Sequence, residues 1–369
     1  MSNPHAWNLT DLASVPSNGI KVMSTFACGG GSSMGYKRAG CTVLAANDID
    51  PEMAWHYKLN INPKHYFLMP IRDLLKTELP QELFDLDILD GSPPCSTFSM
   101  SGSREKAWGK DKHFREGQAK QVLSDLFFDY LDVVSHLRPK VAIAENVKGM
   151  IIGNAKGYTK MVMARFNEIG YRPQLFLLNA ADCGVPQRRE RVFFCAIRDD
   201  IIAPPLKLSP KHRWIGVGEA IDDIQVLTDD EKSETRHTSK TDLTWWKLTR
   251  QGERYADAVV RSGQKEKLWN HKKLNSNTPS NSLTATHEMI NHFGEPRTLT
   301  LREWKRLGSF PDDYIAKADK IGKYMIGMSV PPKMTEVVAR AVCSQWLGVD
   351  QCPCRRISLP TSSARSSRQ

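Results

Sequence analysis

The stretch from Phe84 to Ser99 constrains the fold of this chain more than any other. Residues Phe84 to Leu89 predict a short strand bounded by turn residues. Gly91, a serine and two prolines then end the strand, so Cys95 is expected in a loop beyond its carboxyl end. Ligands bind at this edge in open α/β sheets. The stretch therefore predicts an α/β fold with a cysteine at the ligand-binding edge.

Cys95 itself has two interpretations. Pro94 fixes its own φ, and Pro93 is confined to extended or turn geometry because a proline follows it. A cysteine on so stiff a platform is typical of a nucleophile presented to a substrate. The alternative is that Cys95 is a small buried apolar residue, as most cysteines are.

A glycine turn follows the first predicted strand, residues 19–26. Gly29, Gly30 and Gly31 stand before a predicted helix, and consecutive glycines permit a tight turn and the close approach of a ligand. The spacing differs from the dinucleotide fingerprint, because Met34 occupies the place of its third glycine. A purely structural strand–helix turn is the alternative.

A second predicted strand, residues 41–47, ends at Asp48. An acid at this point, ~20 residues after the glycines, is where nucleoside-binding α/β folds hold a ribose. Asp48 could instead cap a helix that begins at Pro51. Beside the glycine turn, ribose binding is the better interpretation.

Further polar side chains are predicted at the same edge. A long helix over 119–137 precedes a buried strand over 140–144, which brings Glu145 beside Cys95 as an acid–nucleophile pair. Arg189 and Arg191 begin a later strand and share one of its sides. They could hold a phosphate or a base carbonyl, or pair with surface acids.

The charge favours a polyanionic partner. The 369 residues carry 51 Lys and Arg against 41 Asp and Glu, a net charge of +10. Residues 99–118 predict either a lid able to close on phosphates or a solvated loop. From about residue 203 the βα alternation stops, and basic and aromatic residues interleave over 235–275. This mixture suits nucleic-acid contact or a small domain with a tryptophan core.

Composition also indicates in which cellular compartment the chain is found and which kinds of site it lacks. Eight cysteines without a secretory leader predict a reduced compartment, and no run approaches ~18 apolar residues, so no membrane span is expected. Cys352 and Cys354 lack a second pair at zinc spacing, so no metal site is expected. Residues 1–19 predict a loose lead-in, and residues 350–369 a disordered basic tail.

Taken in order, these segments resemble the cytosine carbon-5 DNA methyltransferases of bacterial or phage type. The resemblance extends from Lys21 to about Leu347, except near 205–290. The matching motifs are FxGxG at Phe26–Gly31, Pro-Cys at Pro94–Cys95, ENV at Glu145–Val147, QxRxR at Gln187–Arg191, an RE segment at Arg302–Glu303 and GNSV at Gly327–Val330.

The resemblance implies a Rossmann-like, S-adenosylmethionine-dependent methyltransferase domain over 20–204, completed by 311–349. A small target-recognition domain is inserted over 205–310. It also implies duplex DNA as partner, a monomer, and a cytoplasmic, nucleoid-associated location, and it leaves open a cognate restriction endonuclease acting on the same site.

The resemblance also implies residue roles. Cys95 would attack carbon 6 of a flipped-out cytosine, Glu145 would hold the exocyclic amine and N3, and Arg189 and Arg191 would hold the carbonyl or position Glu145. The implied cofactor contacts are Phe26, Gly29, Gly30, Gly31, Asp48, Ile49, Ile71, Pro94, Leu126 and Ser329. The implied DNA contacts are Ser99, Ser101, Arg104 and Gln187.

Four positions depart from the family pattern. Cys28 replaces the first glycine, and Ser96 replaces a glutamine after the nucleophile. Pro70 replaces an aspartate that binds the adenine amino group, and Met328 replaces an asparagine near the methionine moiety. Adenine is therefore expected to be held by packing and by the backbone N–H of Ile71.

Two other functions stay open. An RNA cytosine methyltransferase would use the same motifs, and the basic insert of roughly ninety residues favours duplex DNA over it. A catalytically inactive DNA-binding relative is the other alternative, and the intact Cys95, Glu145 and Arg189 argue against it. Competition between duplex DNA and structured RNA, and a methyl-transfer assay, separate the three.

Overall fold

The computed structural model describes residues 3–94, 111–112, 121–122, 126–153, 155–235, 239–265, 271–285 and 289–349. Three sets of predictions lie outside the described residues. They are the nucleophile Cys95, the DNA contacts Ser99, Ser101 and Arg104 with the rest of the proposed lid apart from residues 111–112, and the tail over 350–369.

A seven-stranded sheet forms the centre of the fold. Its strands are β1 (Lys21–Thr25), β2 (Thr42–Asp48), β3 (His65–Leu68), β4 (Ile88–Gly91), β5 (Val141–Val147), β6 (Tyr171–Asn179) and β7 (Glu190–Arg198). Their spatial order is β3-β2-β1-β4-β5-β7-β6. All neighbours pair in parallel except β7, which is antiparallel to β5 and β6. The expected α/β fold is confirmed, with the predicted polar residues at one sheet edge.

Helices cover both faces of the sheet, which is why its central strands are apolar almost throughout. The helices are α1 (Gly31–Arg38), α2 (Pro51–Ile61), α3 (Leu126–Leu137), α4 (Ala155–Glu168), α5 (Val217–Ile221), α6 (Asp229–Thr235), α7 (Lys240–Leu248), α8 (Tyr255–Arg261), α9 (Leu301–Leu307), α10 (Asp319–Met328) and α11 (Pro332–Gln345). Helices α3 and α4 pack on one face of the sheet, and α1 and α11 pack on the other. None of the helices in the described part of the chain is long and apolar enough to cross a membrane.

Short elements complete the architecture. Five 3₁₀ turns cover Leu9–Ser14, Ile71–Lys76, Gln81–Asp85, Lys148–Ile151 and Ala180–Cys183. Lys272–Lys273 pairs in parallel with Ile290–Asn291, and Asp111–Lys112 pairs antiparallel with Gln121–Val122.

The strand predicted over Phe84–Leu89 is wrong in its first half. Residues 81–85 form a 3₁₀ turn after Pro80, and β4 begins only at Ile88. The turn buries Leu83 and leaves Phe84 exposed. Burial of the preceding leucine therefore outweighed the local strand pattern.

The lead-in predicted over residues 1–19 is not loose. The Trp7 side chain is buried, and its Nε1 donates a hydrogen bond to the Ser309 carbonyl over 3.0 Å. The Asn3 amide donates to Asp222 Oδ1 over 2.9 Å. The partners of this segment lie about two to three hundred residues away, so no local pattern could indicate them.

The segment between β7 and α11 shares a core with the sheet domain. Ile215, Leu283 and Trp304 from this segment belong to one apolar cluster with Met53 and Tyr57 from the first half of the chain. A separate small cluster contains Trp245 and Tyr255, in line with the tryptophan-core alternative.

Helices α1 and α11 approach each other so closely that only glycine fits at their contact. A Cβ atom at Gly35 would lie 2.5 Å from the Pro332 carbonyl oxygen and 2.6 Å from the Thr335 Cβ. Both neighbours are backbone or branched side-chain atoms, which cannot move aside cheaply.

We expect Gly35→Ala to lower the free energy of unfolding by about 1–3 kcal/mol, because the added methyl group overpacks the contact. Gly157→Ala is the matched control, since a Cβ at this position of α4 meets nothing within 4 Å. The control should stabilise the protein by about 0.5–1 kcal/mol. Urea denaturation measures both changes, and equal effects at the two positions would contradict the close contact.

Candidate active site

The turn after β1 has a strained backbone. Phe26 and Cys28 have φ values of 53° and 44°, in the left-handed region that residues other than glycine rarely adopt. Gly30, at 82°, then caps α1. Such strain persists only where the surroundings impose it, and it is common at ligand-binding turns.

Asp48 holds this turn in place. Its Oδ2 accepts the backbone N–H of Cys28 over 2.7 Å, and its Oδ1 accepts that of Asp50 over 2.9 Å. Burial raises the pKa of Asp48 above its ordinary range. Asp50, and not Asp48, caps α2 by accepting the N–H groups of Glu52 and Met53. The cap interpretation therefore belongs to Asp50, and ribose binding by Asp48 stays a prediction.

The residues present around the turn fit a nucleoside-containing cofactor. A Cβ at Gly31 would lie 2.2 Å from the Val330 carbonyl oxygen, so the turn and the start of α11 form one close-packed cradle. The buried Ser329 Oγ has no hydrogen-bond partner in the described part of the chain, although the Cys28 thiol lies nearby. A hydroxyl left unpaired in such a cradle is suited to a polar ligand.

The other expected cofactor residues lie around this cradle. Phe26, Ile71 and Leu126 contribute to one apolar cluster between the sheet and α3. Two further expected cofactor residues are half-buried. They are Ile49, which directly follows β2, and Pro94, which directly precedes Cys95. The structure thus brings an apolar wall and a polar cradle to the same sheet edge.

Glu145 and Arg191 form a mostly buried ion pair at this edge. The Arg191 Nε donates to the Glu145 Oε1 over 2.9 Å. Arg191 pairs with Val147 across β5 and β7, so it shares a face with Glu145 two residues away. Burial lowers the pKa of Arg191, and the adjacent carboxylate opposes that effect.

Arg189 is directed into the protein. Its Nη1 donates to the Leu283 carbonyl over 2.8 Å, and its Nη2 donates to the Gly327 carbonyl over 3.0 Å. Burial and the neighbouring Arg191 lower the pKa of Arg189 well below its ordinary value. These contacts make Arg189 a support for the two backbone segments that border the site.

Gln187 differs from the expected DNA contact. Its side chain is 1 % exposed, its Nε2 donates to the Leu307 carbonyl over 3.3 Å, and its Oε1 accepts the Leu283 N–H over 3.0 Å. The amide is therefore used within the protein, and the geometry gives no support to direct contact with DNA. We reinterpret Gln187 as a joint between the insert and the sheet domain.

Sequence reasoning missed two contributors to the site. The Asn146 Nδ2 donates to the Pro93 carbonyl over 3.1 Å, which ties the end of β5 to the loop leading to Cys95. Its position inside the ENV triplet was the available signal.

Asp90 is the second contributor that the sequence did not reveal. It accepts hydrogen bonds from the Ser24 Oγ at 2.9 Å and the Tyr36 hydroxyl at 3.0 Å. Burial raises the pKa of Asp90 to about 7. No local pattern indicated it, because its partners lie on β1 and α1.

The site therefore offers one carboxylate oriented by a guanidinium, a backbone-bound loop leading to a cysteine, and a close-packed cradle that contains a buried hydroxyl. No group of three potential metal-ligating side chains occurs within the described ranges. The arrangement suits attack by a nucleophile on a ring that the carboxylate holds and polarises.

Solved structures with a similar fold support this arrangement of the chain. A candidate DNA modification methyltransferase from an E. coli prophage matches with a TM-score of 0.67 at 20% identity, over 89% of this chain and 99% of that one. DNMT2 from Spodoptera frugiperda matches with a TM-score of 0.61 at 17% identity, over 88% and 99%. At these identities the likeness establishes the fold.

Sequence relatives and a family model identify the chain more closely. Type II methyltransferase M1.HphI of Haemophilus parahaemolyticus is 29% identical, covering 88% of this chain and 86% of its own. Type II methyltransferase M.XorII of Xanthomonas oryzae is 30% identical, covering 87% and 82%. The model of the C-5 cytosine-specific DNA methylases matches residues 20–344. The chain therefore belongs to this family of S-adenosylmethionine-dependent enzymes, which methylate carbon 5 of cytosine in DNA.

Proposed function

We propose that this enzyme methylates a cytosine flipped out of duplex DNA, through a covalent adduct with Cys95. The observation that supports this route is the pair of connections at the end of β5. Arg191 orients Glu145, and Asn146 binds the carbonyl of Pro93, two residues before Cys95. The end of β5 thus positions both Glu145, which would hold the base, and the loop that leads to Cys95.

The chemistry explains why an acid and a thiol are needed together. Carbon 5 of cytosine is a poor nucleophile, and attack of the Cys95 thiolate on carbon 6 converts the ring into an enamine. Arg191 donates one hydrogen bond to the Glu145 Oε1, and a carboxylate has about four acceptor sites on its two oxygens, so Glu145 keeps acceptor capacity for the base edge. There Glu145 would bind the exocyclic amine and hold a proton at N3, which relieves the charge that develops on attack. A paired cytosine cannot reach the thiolate, so it must first leave the helix.

The cofactor would lie in the cradle formed by the glycine turn and Ser329. S-adenosylmethionine supplies the electrophilic methyl group when bound. Asp48 would accept from the ribose hydroxyls, the unpaired Ser329 hydroxyl would bind a polar group, and Phe26, Ile71 and Leu126 would pack against the adenine and its neighbours. Because the Pro70 side chain carries no acceptor for the adenine amino group, the Ile71 N–H would be the main polar contact of the adenine.

Residues 205–310 would recognise the target sequence. A cleft of about 230 Å³ in this segment is lined by Arg254, Lys272, Asn281 and Ser282, among others. Arg189 contacts both Ser282 and Leu283, so this cleft lies within a few residues of the reacting groups. Amide and guanidinium groups suit base edges in the major groove.

The relatives' Type II designations support a cognate restriction endonuclease as a partner of this chain at the same DNA site. The match to a family of DNA methylases does not favour the RNA alternative. Binding competition between a duplex carrying the target and structured RNA tests this choice of substrate directly.

We expect Cys95→Ser to abolish methyl transfer while cofactor affinity stays nearly unchanged, because the thiolate serves the chemistry alone. The covalent route ends in an elimination, in which the carbon-5 proton leaves and the bond between carbon 6 and the Cys95 sulfur breaks. Duplex DNA with 5-fluorocytosine at the target should trap the unmodified enzyme covalently, since fluorine in place of that proton blocks this step. Mass spectrometry of the trapped peptide locates the adduct. An active enzyme that forms no adduct at Cys95 would refute the covalent route.

We expect Glu145→Gln to bind duplex DNA but to turn over ~10²–10⁴-fold more slowly, because the amide cannot hold a proton at N3. Glu190→Gln is the matched control, since Glu190 pairs with Lys148 at the exposed start of β7. Single-turnover methylation with radiolabelled cofactor measures both rates. Near-normal turnover by the Glu145 variant would remove Glu145 from its role.

We expect an exchange of residues 205–295 with the corresponding segment of a relative to change the methylated sequence and to leave the chemistry intact. The reason is that the catalytic side chains all lie outside this segment. Bisulfite sequencing of DNA from a host that expresses the chimera gives the new target. An unchanged target would place recognition in the loops of the sheet domain.

A further inference from the structure

A basic cleft lies along α11, on a flank that the proposed reaction does not use. Its volume is about 690 Å³, within the range of small-molecule sites. The walls come from α11, the end of α1, the turn at Gly184, residues 211–215 and the amino-terminal segment around His5. Four separate parts of the chain therefore converge around one concavity beside the helix.

The charged side chains in the cleft are mostly cationic. They are Arg38, Lys211, Arg213, Lys333 and Arg340, with Glu336 as the one carboxylate among the described lining residues. Glu336 is already shared, because it accepts from the Arg38 Nε over 2.6 Å and from the Arg340 Nη2 over 2.8 Å. Arg213 Nη1 donates to Glu219 over 2.8 Å. The ammonium groups of Lys211 and Lys333 have no hydrogen-bonded or ion-pair partner within the described ranges, although the Lys333 backbone N–H donates to the Ser309 Oγ over 3.3 Å.

Lys333 is the more informative of these two lysines, because it lies in the wall of the cleft and not on an open surface. Burial and the Arg38 guanidinium lower the pKa of Lys333 to about 8, against the opposing effect of Glu336. From the amino-terminal segment, the imidazole of His5 also faces this charge. Glu336 is the one carboxylate that acts on this amine, and it is shared with two arginines, so an incoming anion would add negative charge where cations are in excess.

The cleft is separate from the cofactor cradle. Lys333, Glu336 and Arg340 lie on successive turns of α11, which lead away from Ser329. Arg340 is about 12 Å along the helix axis from Pro332, at 1.5 Å per residue. None of the residues that line the cleft belongs to the cradle formed by the glycine turn, Ser329 and Val330.

We propose that this cleft is a second ligand site of the enzyme and binds a phosphate-bearing molecule through Lys333, Lys211 and the neighbouring arginines. Guanidinium forks and ammonium groups are the usual partners of phosphate oxygens. The concave shape and volume favour a free phosphorylated small molecule as the source. The sugar–phosphate backbone of DNA is the other source of the same group, and the experiment separates the two.

The test titrates inorganic pyrophosphate into the full chain by calorimetry at pH 8. We expect one saturable site, a loss of affinity of at least tenfold in Lys333→Met, and a smaller loss in Lys211→Met. Lys160→Met, on the exposed side of α4, is the matched control and should leave affinity unchanged. If the Lys333 variant fails to fold, as its melting temperature would reveal, the exposed Lys211 variant carries the test.

Proton uptake on binding is a second measurement, and it tests whether Lys333 itself contacts the anion. A loss of affinity in Lys333→Met alone could follow from the loss of one positive charge anywhere in the cleft. A bound anion raises the pKa of Lys333, so binding at pH 8 takes up part of a proton, which titrations in two buffers of different ionisation enthalpy measure. Pyrophosphate and His5 are themselves titratable, so the contribution of Lys333 is the difference in uptake between the unmodified enzyme and Lys333→Arg, because arginine stays charged at both pH values. This difference should be present at pH 8 and vanish at pH 6, where Lys333 is already protonated, while Lys333→Arg keeps the affinity.

A competition experiment with a duplex of A·T pairs identifies which molecule carries the phosphate group. This duplex contains no cytosine, so it cannot bind as a substrate of the methylation reaction. Displacement of pyrophosphate by this duplex in the unmodified enzyme, weakened in Lys333→Met, would assign the site to the DNA backbone. Absence of displacement would assign it to a free phosphorylated molecule. The proposal is overturned if pyrophosphate shows no saturable binding, or if the Lys333 and Lys211 variants both bind it as tightly as the unmodified enzyme.

Discussion

The guanidinium of Arg189 joins three parts of the chain that lie far apart in sequence. It extends from the start of β7 to the carbonyls of Leu283, in the insert, and Gly327, at the end of α10. Removing such a charge from water is costly unless carbonyl oxygens replace the lost solvation. These two carbonyls replace part of that solvation, and they hold the reacting edge, the insert and the last helices in one arrangement. The buried Arg189 Nε has no partner among the described residues, in line with the lowered pKa of the guanidinium. Gln187 adds two neutral hydrogen bonds between the same parts.

The local parts of this site were predictable and the long-range parts were not. The second strand was predicted over 41–47 and occurs over Thr42–Asp48, because its apolar run and its flanking turn residues lie within the strand itself. The role of Gln187 depends on Leu283 and Leu307, about one hundred residues further on. Nothing in the sequence around Gln187 distinguishes an inward-facing amide from one that reaches DNA. Asp90 was missed for the same reason, since its two partners lie on other elements.

Cys28 shows how a departure from the family pattern is accommodated. A glycine would adopt its φ of 44° without strain, whereas a cysteine does so at a cost of order 1–3 kcal/mol. The N–H of Cys28 is fixed by the Asp48 carboxylate, and its thiol packs near Met53 and Ser329. Burial raises the pKa of this thiol to about 12, so it stays neutral and does not compete as a nucleophile.

The contact between α1 and α11 determines when during synthesis the cradle can be completed. The cradle beside Gly31 is completed by Val330 and the helix that follows it, about three hundred residues later in the chain. At a synthesis rate of ~5–20 residues per second, about 15–60 s pass between emergence of the first helix and emergence of the second. Until then the glycine turn is held by Asp48 and packs against Ile61 and Tyr57 of α2. A nascent chain that has not reached Val330 therefore lacks one whole wall of the cradle, however well its first half has folded.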